Sequence, residues 1–449
     1  MYFDENGNRQ FYDDETDNYA QNHFQLHWSQ KWSDKWVSNA ALHYTIGKGY
    51  FEQYREDETL ADYNLPDFQG NSVSDLVRKR WLDNDFFGAV FSLNYKTPKT
   101  DVMLGGAANR YLGDHFGEVV WTQYYVPAAN RYYNNIGNKD DVNVYAKASQ
   151  QFGKLNVFAD LQYRMVFYEA TSFRFDDVND TFRFFNPKLG LNFDFNDKHS
   201  FYGYFGVANK EPRRDDYENG STKPERLFDY ELGWKYQSKK VNISANAFYM
   251  NYQNQLVLTG ALNDVGSPIF TNSGKSYRVG LEVESVIALS DKWIVNPNVT
   301  FSQNKNRDFV FQRDGVLQNL GNTTIAFSPD WVIGNRITYS PVKALQLSLF
   351  SKFVSDQYMG NIDSDRSKLD AYFVNDLNVS YEWKINKGVK SIVFSALVNN
   401  LFNLEYESNG YFYTYDDDWT TPGSVTTIEG AGFYPQAGIN FLAGATIKL

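Results

Sequence analysis

Apolar and polar residues alternate along most of this chain. In KLNVFADLQYRMVFYEA (154–170), Leu155, Val157, Ala159, Leu161, Tyr163, Met165 and Phe167 share one face, while Asn156, Asp160, Gln162 and Arg164 share the other. KALQLSLFSKF (343–353), VNISANAFY (241–249) and INFLAGATIKL (439–449) follow the same rule. A period of two predicts β-strands with one apolar and one wet face. The apolar faces are aliphatic with aromatic residues towards their ends, and the polar faces carry charge even in mid-strand.

The connections between these strands are alternately tiny and long. The short ones fall at 31–36, 97–100, 152–154, 196–199, 237–240, 290–292, 340–343 and 386–388. Between them lie long, polar, aromatic stretches at roughly 48–84, 113–140, 170–183, 210–226, 259–275, 306–322, 357–369 and 403–432. A soluble sandwich has no reason to sort its loops by parity. An antiparallel transmembrane β-barrel does, because short turns face the periplasm and long loops face outside. The pattern predicts about seventeen strands, several longer than the roughly nine to eleven residues that span a bilayer. Single-chain bacterial barrels have even strand numbers. With the first strand at about 22–31, residues 1–20 are expected to be the remnant of an external loop, and the chain the C-terminal part of a larger barrel.

Composition narrows the class further. Aromatics make up 18% of residues (Phe 36, Tyr 33, Trp 10), which excludes disorder. No stretch approaches the roughly eighteen apolar residues of a membrane-spanning helix. Net charge is −11, from 43 Lys and Arg against 54 Asp and Glu, and this acidic balance excludes a nucleic-acid partner. Cysteine is absent, so thiolate chemistry and disulfides play no part. The opening MYFDENGNRQ has neither a basic nor an apolar leader region, so no signal peptide is expected within this sequence.

An ordered set of segments carries a family resemblance: GKGYFEQY (47–54), FNPKLGLNF (185–193), VANKEPRRDDY (207–217), KPERLFDYELGWKY (223–236), NQLVLTG (254–260), NSGKSYRVGLEVE (272–284), SPDW (328–331), VSDQYMGN (354–361), LDAYFVNDL (369–377), NNLFNLEYESNGY (399–411) and YPQAG (434–438). In this order they resemble the C-terminal barrel portion of a TonB-dependent outer-membrane receptor. The resemblance implies a barrel of about twenty-two strands filled by an N-terminal plug. The present strands would be the sixth through the last, over 1–449, with the plug and first strands missing. It also implies location in the outer membrane of a Gram-negative bacterium, with lipid around the barrel. A scarce ligand (siderophore, corrinoid or glycan) would bind at the external loops, and the TonB system would couple through the plug. Leu449 departs from the aromatic terminus such barrels usually carry. The alternatives are a passive porin-like channel or structural barrel, and a secreted glycan-binding β-protein. In NNLFN, Phe402 and Tyr406 would sit in the aromatic girdle, with the asparagines tying strand to loop.

No enzyme constellation is present, and nothing calls for a cofactor or a metal. His23 and His27 share a strand face without a third ligand. Asp13, Glu15 and Asp17 lack the glycine and terminal glutamate of a calcium loop, and Asp416, Asp417 and Asp418 form a similar solvated acidic run. EPRRDD (211–216) suits a self-paired charge knot at a loop base. Gly47 and Gly49 mark a strand-to-loop junction, since no helix follows to make a phosphate cradle. The candidate ligand-binding residues are aromatic: Trp121, Tyr124, Tyr125, Arg131, Tyr132 and Tyr133 in one external loop, and Tyr411, Tyr413, Tyr415 and Trp419 in another. Such rings stack on sugars, and with an arginine they suit anionic chelates. Loop packing and girdle anchoring are the competing roles.

Overall fold

The computed structural model describes every residue except 1, 4, 5, 11, 13, 14, 126–129, 173–175 and 263–266. Asp13 of the acidic run therefore lies outside the described residues. The chain forms two compact units, Met1–Gln150 with Ala159–Asn186, and Gln151–Phe158 with Pro187–Leu449.

The first unit holds β1 (Asp17–Lys31), β2 (Trp36–Thr59), β3 (Val73–Lys96), β4 (Thr100–Thr122) and all but the last two residues of β5 (Asn130–Phe152), each antiparallel to the next. β6 (Leu155–Ala170) and β7 (Val178–Asn196) have residues in both units. The second unit continues with β8 (His199–Lys210), β9 (Glu225–Gln237), β10 (Val241–Gln253), β11 (Lys275–Ala288) and β12 (Trp293–Arg307). It ends with β13 (Trp331–Val342), β14 (Leu345–Val354), β15 (Tyr372–Lys387), β16 (Val389–Asn399) and β17 (Asn440–Lys448). From β8 to β17 each strand again pairs antiparallel with its successor. The described sheet strands thus number seventeen, as the alternation predicts.

The short connections fall where alternation stops, and their polar side chains satisfy the turn backbone. The Asn196 side-chain oxygen accepts the Lys198 and His199 N–H groups at 2.9 and 3.0 Å. The long stretches need correction. Much of 48–84 is strand, because β2 runs to Thr59 and β3 begins at Val73; β1 begins at Asp17 rather than near residue 22. Four more contain antiparallel strand pairs of their own: Leu256–Leu262 with Pro268–Asn272, Val310–Arg313 with Val316–Asn319, Gln357–Tyr358 with Lys368–Leu369, and Glu407–Asp417 with Thr426–Pro435. Where both faces of a strand are polar the alternation vanishes from the sequence, while Tyr, Thr and Phe still favour the extended backbone.

The two faces are the inverse of a water-soluble protein's. Leu161, Phe167, Leu189, Leu191, Leu281 and Phe301 are exposed, and Leu232 is 70% exposed. On the opposite face Asp160, Asn186, Ser302, Asn304 and Asn306 are buried. Buried polar residues backing an exposed aliphatic face are the informative departure from the usual distribution. Ring pairs close the short-turn ends, with Trp36 on Tyr95 at 4.8 Å and Trp293 on Tyr339 at 4.2 Å.

The NNLFN segment ties strand to loop as its asparagines suggest. Asn400 is 4% exposed with φ 50°. Its side chain accepts the Leu404 N–H at 2.9 Å and donates to the carbonyls of Leu404 and Ala437. Asn403, at φ 52°, accepts the Ile439 N–H at 2.8 Å, and Asn399 donates to Asn440 at 2.9 Å. Asparagine tolerates the left-handed backbone region better than other side chains do.

Candidate functional site

In the first unit, the long connection between β2 and β3 folds over the β4–β5 end. Leu60, Tyr63, Leu65, Leu76 and Val119 form a small core with Tyr125 and Tyr132 packed against it. The Tyr132 ring lies 4.7 Å from Tyr63 and 4.9 Å from Tyr133, and its carbonyl accepts from the Asn64 amide at 2.9 Å. Burial pushes the Tyr132 hydroxyl up to about 12, against the opposing pull of Arg78. Tyr124 and Tyr125 both lie against Phe68, at 5.5 and 5.6 Å. Arg131 covers the Phe116 ring at 3.7 Å and sits 3.6 Å from the Glu118 carboxylate. Of this set Trp121 and Arg131 are the exposed members, and the tyrosines are tied into loop packing.

The second unit presents a different arrangement. Tyr411, Tyr413 and Tyr415 alternate on one face of the hairpin strand Glu407–Asp417, and Trp419 continues the row past its end. Successive ring centroids are 6.3, 6.4 and 5.8 Å apart, with interplanar angles of 15°, 14° and 6°. Gly430 and Gly432 on the partner strand make this possible: a Cβ on either would come within 2.4 Å of the Tyr413 or Tyr411 ring. The rings therefore lie across bare backbone. On the other face Phe412 is buried with Met359 and Leu369, which fixes the hairpin from behind.

A second hairpin buttresses this one. Arg313 pairs with Glu429 at 2.8 Å, and Asp314 and Thr427 exchange two bonds at 2.7 and 2.8 Å. Asp416 accepts from Thr427 and Gln312, which hold its carboxyl below the usual range. Asp417 is likewise lowered by the backbone N–H of Thr420, and it also accepts from the Trp419 N–H at 3.2 Å, setting the last ring of the row. The acidic run thus orders the loop. Sequence reasoning named the four rings of the row but missed Tyr434, 6.0 Å from Tyr411, and the two glycines; their alternation in IEGAGFYP opposite alternating tyrosines was the available signal.

The family model for the TonB dependent receptor-like β-barrel matches residues 2–401. The chain belongs to this family. The pesticin receptor of Yersinia enterocolitica is 27% identical over 192 residues, covering 42% of this chain and 26% of that protein. Among solved structures, the copper transporter OprC superposes with a TM-score of 0.70 at 15% identity, covering 95% of this chain and 65% of OprC. The ferric-catecholate import receptor Fiu of E. coli K12 does so with a TM-score of 0.65 at 13% identity, covering 98% of this chain and 66% of Fiu. The chain spans about a quarter of the pesticin receptor and less than two thirds of each of these structures.

TonB-dependent receptors are outer-membrane β-barrels that act as receptors and transporters rather than enzymes, and the antiparallel sheet described above is of that class. Other candidate residues have structural partners. His23 bonds Thr45 at 2.9 Å and His27 bonds Gln25 at 3.1 Å, and no metal-ligating group of three occurs among the described residues. In EPRRDD the Asp216 carboxylate accepts the Arg213 N–H at 2.7 Å, and Arg214 pairs with Glu218 at 3.3 Å across a short helix. Gly47 and Gly49 make room for Tyr19, whose hydroxyl donates to Asn84 at 2.9 Å.

Proposed function

We propose that this chain is the wall and capture surface of a receptor in the outer membrane of a Gram-negative bacterium. It takes up a scarce metal chelate of the siderophore class, with TonB acting through a plug segment. The observation that carries this reading is the inverted sheet, whose aliphatic face is exposed while Asp160, Asn304 and Asn306 are buried behind it. Only a solvent more apolar than water makes that arrangement favourable. Lipid is accordingly the partner on the aliphatic face. The ligand is captured on the row Tyr411, Tyr413, Tyr415 and Trp419, which offers exposed ring surface to flat, conjugated chelating groups. Trp121 and Arg131 are a separate candidate ligand surface within the first unit. The ligand class is supported by the roles of two fold neighbours, the ferric-catecholate import receptor Fiu and the copper transporter OprC.

The test is equilibrium binding of ferric chelates and of oligosaccharides to the complete purified receptor. Tyr413→Ala with Trp419→Ala is expected to weaken chelate binding by about thirtyfold, at roughly 1 kcal/mol per ring. Unchanged chelate affinity would overturn the assignment of the row. Oligosaccharide binding lost in its place would transfer the site to glycans.

A further inference from the structure

The registered rows across β9–β12 place like with like on the aliphatic face. The row nearest the long-loop ends is Arg226, Gln253, Lys275 and Arg307. Two residues further along each strand come Phe228, Asn251, Tyr277 and Lys305. Next are Tyr230, Tyr249, Val279 and Gln303, and then Leu232, Ala247, Leu281 and Phe301. Each step is about 7 Å along the strand. The face therefore grades from cations, through aromatic rings, into aliphatic side chains within about 20 Å.

Four cations meet here in a protein with a net charge of −11. None of them forms an ion pair with a carboxylate among the described residues; Arg226, Lys305 and Arg307 instead meet rings and hydroxyls. Arg307 donates to the Tyr249 hydroxyl at 3.1 Å and lies 4.8 Å from the Tyr277 ring. Arg226 covers the Phe228 ring at 4.7 Å. Lys305 donates to the Thr324 hydroxyl at 2.8 Å. Directly below, the small residues Gly203 and Ala247 open a groove of about 600 Å³ in the aliphatic face, bounded by Leu191, Phe205, Leu232 and Val279.

We propose that this patch binds one phosphorylated, multi-acylated lipid of the outer leaflet. Its phosphate groups would meet Arg226, Lys275, Lys305 and Arg307, and one acyl chain would lie in the Gly203–Ala247 groove. Arginine and lysine without carboxylate partners suit phosphate oxygens, and arginine held by a ring keeps donors aimed outward. The graded rows match the order of a lipid's own parts, so the occupant is a lipid and not a free anion. This inference rests on the aliphatic face meeting lipid, as proposed above.

The experiment uses the complete receptor in nanodiscs of phosphatidylcholine doped with lipid A, with native mass spectrometry counting retained lipid A per receptor. Wild type is expected to retain one. The Arg226→Gln, Lys275→Gln, Arg307→Gln triple variant should reduce occupancy at least about tenfold, since each cation near an anionic headgroup contributes several-fold. Ala247→Phe fills the groove without altering charge, and should reduce it as well. Lys275→Gln alone, at an exposed position, keeps the test open if the triple variant fails to insert. Equal occupancy in wild type and in the inserted variants would overturn the proposal. Displacement by inorganic phosphate at matched concentration would also overturn it, by showing a small-anion site. Failure of the wild-type receptor to enter nanodiscs at all would instead refute the membrane reading.

Discussion

Leu161→Arg puts a charge at the centre of the aliphatic face. Leu161 is 50% exposed on β6, six residues beyond Leu155, where that strand leaves its short turn. At about 3.3 Å per residue and a strand tilt near 40°, six residues climb roughly 15 Å, close to the middle of a band about 25 Å tall. An arginine at that depth costs about 2–4 kcal/mol. Gln162→Arg, one residue on, faces the other way. There it forfeits the bond that Gln162 accepts from Asn186 at 3.0 Å, worth about 1 kcal/mol, with the Asp160 carboxylate two residues away to receive the new charge. The assay is a denaturant titration of the complete receptor refolding into lipid vesicles, followed by its shift in electrophoretic mobility on heating. Leu161→Arg should lose at least about 1 kcal/mol more than Gln162→Arg. Equal losses, or a greater loss for Gln162→Arg, would refute the assignment of faces.

Two other outcomes are expected. A cysteine replacing Asp418 should react with an impermeant thiol reagent on intact cells carrying the complete receptor, whereas one replacing Lys239 should not; reversed labelling would invert the topology. Asn400→Ala should cost about 2–4 kcal/mol in the refolding titration, from three lost side-chain bonds and a left-handed backbone that alanine tolerates poorly; a loss below about 1 kcal/mol would show that the segment is held by other contacts.

The strands and short turns were legible because a face in contact with apolar surroundings writes a period of two into the sequence. KLNVFADLQYRMVFYEA shows it, and β6 begins and ends within a residue of that segment. The external hairpins were not legible, because both their faces are wet or locally packed. Val310–Asn319 contains nothing that distinguishes it from a loop until Arg313 meets Glu429, more than a hundred residues away. The same distance effect hid the packing of Tyr125 and Tyr132, whose partners Leu60 and Tyr63 come from another connection. Asn400 and Asn403 were legible as ties because asparagine is the side chain that both bonds backbone and accepts a positive φ. The cationic row needed register: Arg226, Lys275 and Arg307 are scattered in sequence and meet only once three strand pairings are fixed.

The central claim is that alternate residues of these strands face lipid. Its most direct test is a cysteine scan from Asp229 to Trp234 on β9 in the complete receptor, each site carrying an environment-sensitive fluorophore in vesicles containing a spin-labelled lipid quencher. Labels at 230, 232 and 234 should be quenched strongly, and labels at 229, 231 and 233 weakly, following the two-residue period of the strand. Uniform quenching, no quenching, or the opposite phase would contradict the account.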